Sequence, residues 1–494
     1  MRKQTQEAGE VSQHNEGGGF VAKEYDLVIL GGGIGGYVAA IRASQLGLKT
    51  AVVEADKLGG TCLHKGCIPT KTFLKSAEVF SVVQNGDAYG VTAANIALDF
   101  AKIQERKQKI TAQLFGGVQQ LMKQHQIDVF HGFGRILGPS IFSPTAGTIS
   151  VEPSEGTETE MLVPKNILIA TGSKPRMIPG LEVDEAYILT SDEALDMKDL
   201  PRSMLIVGGG VIGIEWASLL SDFGVQVTVL ESEPRILPAE DEHISREMTR
   251  LLKRKKVKIM TNTAIQTDTV LKKDGHISVE VLCRDRRETV AAEKMLISVG
   301  RKPNVENIGL ENTDIRLVNG AIQVNEYGVT NEAHIYAVGD VIGGWQLAHA
   351  AAHEGIIAVE HMAGAAPEPL NYAHLPRCIY SRPQAASIGL TEEEARERGF
   401  RLKIGKFPFK AVGKALIEGE TDGFAKIIMD EDTDDLLGVH MIGARVTDMI
   451  SEAGLAMVLD ATPWEIGRTI HPHPSLSEVI GEAALAVDGL AIHV

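Results

Sequence analysis

Asp26-Leu27-Val28-Ile29-Leu30-Gly31-Gly32-Gly33-Ile34-Gly35-Gly36 decides the fold. An unbroken apolar run ending in glycine reads as a parallel strand covered on both faces. The alanine-rich stretch behind it predicts a helix ending at Gly47, then a second strand from Lys49 to Val53, closed by Glu54. Strand, G-x-G-x-x-G, helix, strand and acid together make the fingerprint of a dinucleotide-binding unit. Gly31, Gly33 and Gly36 let the backbone approach a pyrophosphate at the helix N-terminus, and Glu54 can accept from a ribose hydroxyl. The same order recurs: Met204 to Val207, Gly208-Gly209-Gly210-Val211-Ile212-Gly213, a helix to Gly224, and a strand Gln226 to Leu230 closed by Glu231. Two such units imply two dinucleotides. A carboxylate at Glu231 repels a 2′-phosphate and the nearest downstream base is Arg235, so the second unit reads as favouring NAD over NADP.

Just after the first unit comes Gly59-Gly60-Thr61-Cys62-Leu63-His64-Lys65-Gly66-Cys67-Ile68-Pro69-Thr70-Lys71, then a helix-like run from Thr72 to Phe80. The four-residue gap between the cysteines is wrong for zinc knuckles, which favour shorter spacings and a second ligand pair. A redox disulfide suits it better. On an ideal helix the two Cα atoms would stand roughly 8.6 Å apart, whereas a disulfide needs less than about 7 Å. Bridging Cys62 and Cys67 therefore requires a distorted turn, which Gly66 permits, and strain makes a disulfide easier to reduce.

With 494 residues the chain has room for three or four domains, and its 51 glycines gather where nucleotide-binding turns would lie. A net charge of −16 argues against general nucleic-acid binding and against attachment to anionic lipid. Four cysteines cannot build a disulfide scaffold, which fits a reducing compartment. The N-terminus lacks the apolar core of a signal peptide, and the longest uncharged run, Leu27 to Ile41, is glycine-broken and too short to span a bilayer. The chain reads as soluble and cytoplasmic, with no membrane or nucleic-acid partner. Residues 1–22 are polar and aperiodic and read as a flexible arm. Glu16-Gly17-Gly18 can be encoded by a purine-rich ribosome-pairing sequence and Val21 by an alternative start codon. Residues 1–20 are thus either sequence ahead of the native start or a genuine disordered arm.

Further apolar strands end in small-residue turns: Asn166 to Ala170 with Thr171-Gly172-Ser173, Met295 to Val299 with Gly300-Arg301, and Ile335-Tyr336-Ala337-Val338-Gly339-Asp340. Together with the Cys62 and Cys67 pair, these motifs resemble the pyridine nucleotide–disulfide oxidoreductases from about residue 23 to the C-terminus. Within that family the resemblance is to the members that oxidise protein-bound dihydrolipoamide and reduce NAD. It implies an α/β fold with two doubly wound dinucleotide-binding domains, a central domain and a C-terminal α+β dimerisation domain. The expected boundaries are 23–174 for FAD, 175–300 for NAD, 301–369 for the central domain and 370–494 for the interface. By the same resemblance Gly31, Gly33, Gly36 and Glu54 hold the adenosine half of FAD, Thr171 and Gly172 line it, and Asp340 binds its ribityl chain. Gly208, Gly210, Gly213 and Glu231 hold NAD. Lys71 approaches the flavin and pairs with Glu215, Cys67 faces the flavin, and Cys62 exchanges with substrate. His473 matches the catalytic base and Glu478 the carboxylate that orients it, the histidine reaching across a homodimer. The implied partners are the lipoyl domains of an E2 acyltransferase and the E2 core of a 2-oxo acid dehydrogenase complex.

Plainer readings stand beside these. His471-Pro472-His473-Pro474 could simply cap the helix beginning near Ser477, and His471 read alone is structural. His349 and His353 have metal-ligand spacing but no third ligand, so helix packing near FAD is the better reading; no metal is expected. Cys283 and Cys378 read as isolated structural thiols, and the acidic run Asp430 to Asp435 as a solvated turn. His64-Lys65 replaces the Asn-Val that many relatives carry between the cysteines and could lower the thiol pKa. The same variant also occurs in members serving branched-chain 2-oxo acid complexes. Ser475 and Gln384 depart mildly from the usual Thr and Glu. Two rivals remain: another disulfide reductase of the family, or a non-catalytic FAD- and NADH-binding sensor. The absence of cysteine after Cys378 and the presence of Glu231 weigh against the first, and Cys62, Cys67 and His473 together against the second.

Overall fold

A computed structural model of the chain describes residues 23–139, 147–154, 156 and 158–493. The stretch 1–22, expected to be an arm, lies outside the described residues. The opening apolar run is the strand Lys23–Leu30, paired in parallel with Thr50–Glu54 on one side and Glu160–Ile169 on the other. Asp128–Ile136 and Ile335–Ala337 extend this parallel sheet at its two ends. The second half of Asp128–Ile136 leaves the sheet and pairs antiparallel with Ile149–Pro153, which returns to the start of Glu160–Ile169. Leu27 and Ile29 enter a cluster with Ala39, Ala40 and Ala43, while Val28 and Leu30 join Ile136, Ile149 and Ile308. Both faces are covered, which is why the run contains no polar residue.

The helix Ile34–Gln45 is rich in small residues for a steric reason. The helix Ala348–Met362 lies so close that a Cβ on Gly355 would stand 2.7 Å from the Gly35 carbonyl oxygen. This helix and the strand Ile335–Ala337, both from segment 301–369, complete the first unit.

The second unit is a five-stranded parallel sheet in the order Lys258–Met260, Gln226–Leu230, Ser203–Val207, Lys294–Ile297, Ile188–Thr190. An antiparallel insert, Thr263–Lys273, His276–Cys283 and Arg286–Ala292, interrupts it. Its helix Val211–Asp222 is buried continuously from Gly213 to Leu220. A helix buried all round must be covered all round, and its polar Glu215 and Ser218 need partners in that cover. The outer cover is the helix Cys67–Gln84, whose Phe73 meets Trp216 edge-on at 6.4 Å between ring centres. That helix exceeds the expected Thr72–Phe80 at both ends; Pro69 falls in its first turn, where the missing N–H has no partner to lose. Among the described residues no helix is long and apolar enough to cross a membrane.

The C-terminal part is an antiparallel sheet in the order Arg377–Ile379, Gln384–Gly389, Leu436–Gly443, Phe424–Asp430, Leu402–Pro408. One face packs under the helices Val446–Val458 and Glu478–Ala486. The other carries a polar row in register: Arg377 opposite Ser387, Ser387 opposite His440, His440 opposite Lys426, and Lys426 opposite Lys406. Directly opposed residues share a face, and this row meets Asp241 and Glu240 of the second unit and Glu392 of its own domain. Lys426 Nζ lies 2.7 Å from Asp241 and 2.7 Å from Glu392, and Arg377 lies 3.4 Å from Glu240. Glu431 to Asp435 form the exposed turn between Phe424–Asp430 and Leu436–Gly443, as the solvated-turn reading expects, whereas Asp430 is the buried last residue of its strand.

Burial works against the charge on Asp241, but His440, Lys426 and the Glu392 N–H more than offset it and hold its pKa at about 2. Lys426→Met leaves that buried carboxylate without its cation and is expected to cost about 3–5 kcal/mol in urea unfolding. Because the folded pKa of Asp241 is depressed, the pair's contribution is full above an unfolded pKa of about 4 and disappears as pH falls toward the folded value. The stability gap between variant and parent should therefore close across that acid window.

Candidate active site

The two glycine turns share one construction. A Cβ on Gly31 would lie 2.4 Å from the Ala170 oxygen, and one on Gly208 2.4 Å from the Ser298 oxygen. On Gly36 it would lie 1.9 Å from the Gly31 oxygen, and on Gly213 2.0 Å from the Gly208 oxygen. The outer glycines are therefore demanded by the fold. The middle ones are not: a Cβ on Gly210 would meet nothing within 4 Å, and one on Gly33 only the Gly60 Cα at 3.9 Å. Gly33 and Gly210 are the N-caps of their helices, and no side chain caps either. Open space in front of uncapped N–H groups suits a pyrophosphate, so the residues present fit two dinucleotides.

Glu54 and Glu231 are both buried and matched atom for atom. Glu54 accepts from the Gly32 N–H at 2.7 Å and the Asp56 N–H at 2.7 Å; Glu231 accepts from the Gly209 N–H at 2.6 Å and the Glu233 N–H at 2.8 Å. Each acid thus clamps its own glycine turn as well as standing where a ribose would lie. Arg235 is committed elsewhere, to Glu393 at 2.6 Å and to the carbonyls of Pro238 and Glu240.

Cys62 and Cys67 form a disulfide with Cα atoms 4.7 Å apart. The approach is possible because the segment is two helices rather than one, Gly60–His64 and Cys67–Gln84, broken at Lys65 and Gly66. A Cβ on Gly66 would come 3.0 Å from the Thr61 oxygen. His64 and Lys65, between the two cysteines, are both held by neighbours. Lys65 pairs with Asp56 at 2.9 Å and the His64 ring bonds the Leu58 carbonyl at 2.8 Å. One turn into the second helix, Lys71 donates to both oxygens of Glu215 at 3.0 and 2.8 Å. Glu215 is 4% exposed and Lys71 31%.

Asp340 accepts from the Ser173 hydroxyl at 2.5 Å, and Arg301 donates to that same hydroxyl at 2.7 Å. The Thr171-Gly172 turn is tied down by Asn304: the Thr171 hydroxyl donates to its carbonyl at 2.7 Å, and its own N–H donates to Gly172 at 2.9 Å. Glu354 accepts from the Gly339 N–H at 2.7 Å and from the Tyr372 hydroxyl at 2.8 Å, fixing the turn before Asp340. Sequence reasoning missed Ser173, Asn304, Glu354 and Tyr372 as supports; only Arg301 carried a signal, its strand-to-glycine turn echoing the Ala170 turn.

His473 Nδ1 lies 2.8 Å from Glu478 Oε1, and the ring is 78% exposed. Burial works against the Glu478 charge, but the His473 ring and the Ser475 N–H at 2.9 Å hold its carboxyl below the usual range. His471 bonds Glu452 at 2.7 Å, and this contact pushes the imidazole pKa up. The two rings thus go to carboxylates, and the helix Glu478–Ala486 has no side-chain cap. His349 and His353 bond the carbonyls of Pro376 and His349, and no metal-binding cluster occurs among the described residues. Cys283 and Cys378 are free thiols, and burial pushes the latter up to about 11.

Two glycine turns, a helix-borne disulfide and a histidine–carboxylate pair define a nucleotide-dependent disulfide oxidoreductase. Residues 25–355 match the family model for pyridine nucleotide-disulphide oxidoreductases, and residues 375–484 match the model for their dimerisation domain. The chain belongs to that family. It is 64% identical over 473 residues to the dihydrolipoyl dehydrogenase of Bacillus subtilis (strain 168), covering 96% of this chain and 100% of the relative. Its identity to the dihydrolipoyl dehydrogenase of Zymomonas mobilis is 44% over 475 residues, again covering 96% and 100%. Among solved structures it resembles LpdA of Mycobacterium tuberculosis, with a TM-score of 0.86 and 26% identity over 94% of this chain and 99% of that one. The HOCl-induced flavoprotein disulfide reductase RclA of Escherichia coli superposes with a TM-score of 0.81 at 25% identity, covering 94% and 100%.

The contrast between outer and middle glycines separates folding from binding. Gly213→Ala forces a Cβ onto the Gly208 carbonyl and should destabilise the protein by about 1–3 kcal/mol or more, seen as a lowered Tm. Gly210→Ala should leave Tm near that of the parent yet weaken NAD binding in titration calorimetry, because its methyl enters the space in front of the helix N-terminus.

Proposed function

We propose that this chain oxidises protein-bound dihydrolipoyl groups to the cyclic disulfide and reduces NAD, with Cys62–Cys67 as the exchanging disulfide. The reading is carried by that disulfide, which follows the glycine turn fitted to one dinucleotide and opens a helix packed on the helix that follows the other turn. Residues 23–174 with 301–369 then hold FAD, residues 175–300 hold NAD, and residues 370–494 make the dimer contact. Gly31, Gly33, Gly36 and Glu54 form the FAD pyrophosphate and ribose site, Thr171, Gly172 and Asp340 the flavin-proximal wall, and Gly208, Gly210, Gly213 and Glu231 the NAD site. Arg235, the nearest basic residue downstream of Glu231, is engaged by Glu393 rather than free to welcome a 2′-phosphate, which supports NAD.

His473 of the partner subunit removes the proton from one substrate thiol, and Glu478 holds the ring and stabilises the imidazolium. The thiolate attacks Cys62 Sγ, a mixed disulfide forms, and Cys67 leaves as a thiolate. The second substrate thiol attacks the mixed disulfide, the cyclic product departs, and Cys62 leaves carrying the electron pair and takes the proton. Substrate has lost two electrons and the protein disulfide has gained them. FAD, when bound, relays those two electrons from the dithiol to NAD. Lys71, held by Glu215, places a positive charge beside the flavin.

The exposure of the His473 ring supports a base supplied across subunits. In the same domain Leu455, Val458, Leu459, Trp464 and Ile470 are exposed apolar side chains, Ile470 95% so, of the kind a second copy of the dimerisation domain would cover. The lipoyl domains and core of an E2 acyltransferase are the proposed partners, and the reducing cytoplasm, with Cys283 and Cys378 left as thiols, the proposed location.

Dihydrolipoamide-dependent NADH formation tests the activity directly; reduction of other disulfides without it would replace this reading with the broader family activity. His473→Ala is expected to lower turnover by about two or more orders of magnitude. Mixing His473→Ala with Cys62→Ser chains should restore activity through one intact composite site per heterodimer. Heterodimers verified by mass spectrometry yet inactive would show that each base serves its own chain.

A further inference from the structure

Three parts of the molecule converge on the Lys71–Glu215 pair. Lys71 comes from the helix behind the disulfide and Glu215 from the helix of the second unit. The third contributor is Tyr380, from the connection between the strands Arg377–Ile379 and Gln384–Gly389 of the dimerisation domain. Its backbone N–H donates to Glu215 Oε1 at 2.9 Å, and its ring face lies 4.7 Å from Lys71 Nζ. Two residues on, the Arg382 N–H donates to the Ser218 hydroxyl at 2.8 Å, so the segment is fastened twice along the Glu215 helix. Tyr380 therefore touches both members of the pair, one through its backbone and the other through its π face. A cation seated on an aromatic face is held in position without losing its charge. The phenol stays protonated and uncharged at neutral pH, since burial pushes its pKa up to about 12.

We propose that Tyr380 is a positioning residue of the redox centre: its ring fixes the Lys71 ammonium and its N–H fixes Glu215, so that the dimerisation domain sets where the positive charge sits beside the flavin. The inference rests on the reading that places Lys71 at the flavin.

The test uses the FAD-loaded full-length homodimer and four variants: Tyr380→Phe, Tyr380→Leu, a fluorinated phenylalanine incorporated at position 380, and Lys71→Gln. The readouts are visible absorption and fluorescence of the bound flavin, kcat and KM for dihydrolipoamide, and Tm. Tyr380→Phe keeps the ring face and should match the parent within about twofold on the scale of a weak contact. Tyr380→Leu should lower kcat about three- to thirtyfold, the range a cation–π contact spans, with KM little changed. It should also displace the flavin spectrum in the same direction as Lys71→Gln. The fluorinated ring keeps shape while draining the π face, so it should behave like Tyr380→Leu even if the leucine variant fails to fold. Parent-like kcat and spectrum with the fluorinated ring, while Lys71→Gln shifts the spectrum, would overturn the positioning role and leave the Lys71 reading standing. An unchanged flavin spectrum in Lys71→Gln would remove the reading itself and the proposal with it. A loss in Tyr380→Phe equal to that in Tyr380→Leu would move the role from the ring face to the hydroxyl and also overturn it.

Discussion

A carboxylate that is 4% exposed cannot stand unpaired, because an uncompensated buried charge costs several kcal/mol. Glu215 is such a group, and meeting its charge constrains the placement of much of the chain. Its cation, Lys71, stands 144 positions earlier, and its backbone donor, Tyr380, 165 positions later. The helix Cys67–Gln84 must therefore lie along Val211–Asp222, and the dimerisation domain must dock at the same place. The apolar contact of Phe73 with Trp216 supplies adhesion, but adhesion is non-directional. The ion pair supplies the register. Since Cys67 opens the helix on which Lys71 sits one turn later, the same register ties the disulfide-bearing helix to the helix of the second unit.

How much of this could be read in the sequence follows from how local each constraint is. The glycine turns were legible because sterics within a dozen residues require glycine at Gly36 and Gly213, and because the closing acids Glu54 and Glu231 bond the same turns. The His473 and Glu478 spacing was legible for the same reason: five residues and one helix start bring them to 2.8 Å. The Cys62 and Cys67 pair was legible as a redox pair, and so was the distorted turn at Gly66 that bridging requires. Helical spacing overstates the separation because Lys65 and Gly66 break the helix between them. The partners of His64 and Lys65, the Leu58 carbonyl and Asp56, were not legible, because they lie in the loop after the second strand and only the fold brings them close.

The unread portion is long-range and mostly polar. Arg377, Ser387, His440, Lys426 and Lys406 sit on five different strands, and only strand order places them in one row. Nothing in the local pattern marks Lys426 as buried; a lysine in an apolar strand becomes tolerable only once Asp241 and Glu392 arrive from elsewhere. Tyr380 is similar. A tyrosine before Ser381 and Arg382 reads as an ordinary strand end until the Glu215 helix is laid against it.

The double duty of the closing acids has a consequence for cofactor choice. If Glu231 only repelled a 2′-phosphate, exchanging it for a base would be enough to admit NADP. It also accepts from the Gly209 and Glu233 N–H groups, so a basic replacement strips two hydrogen bonds from the turn that must hold the pyrophosphate. Arg235, the nearest cation, is held by Glu393 of the dimerisation domain and by two carbonyls, and freeing it would loosen the junction between the two domains. Preference for NAD is therefore tied to the geometry of the turn and to domain packing together. On the proposed role of Glu231, a switch requires compensation at both, because the same carboxylate also shapes the glycine turn.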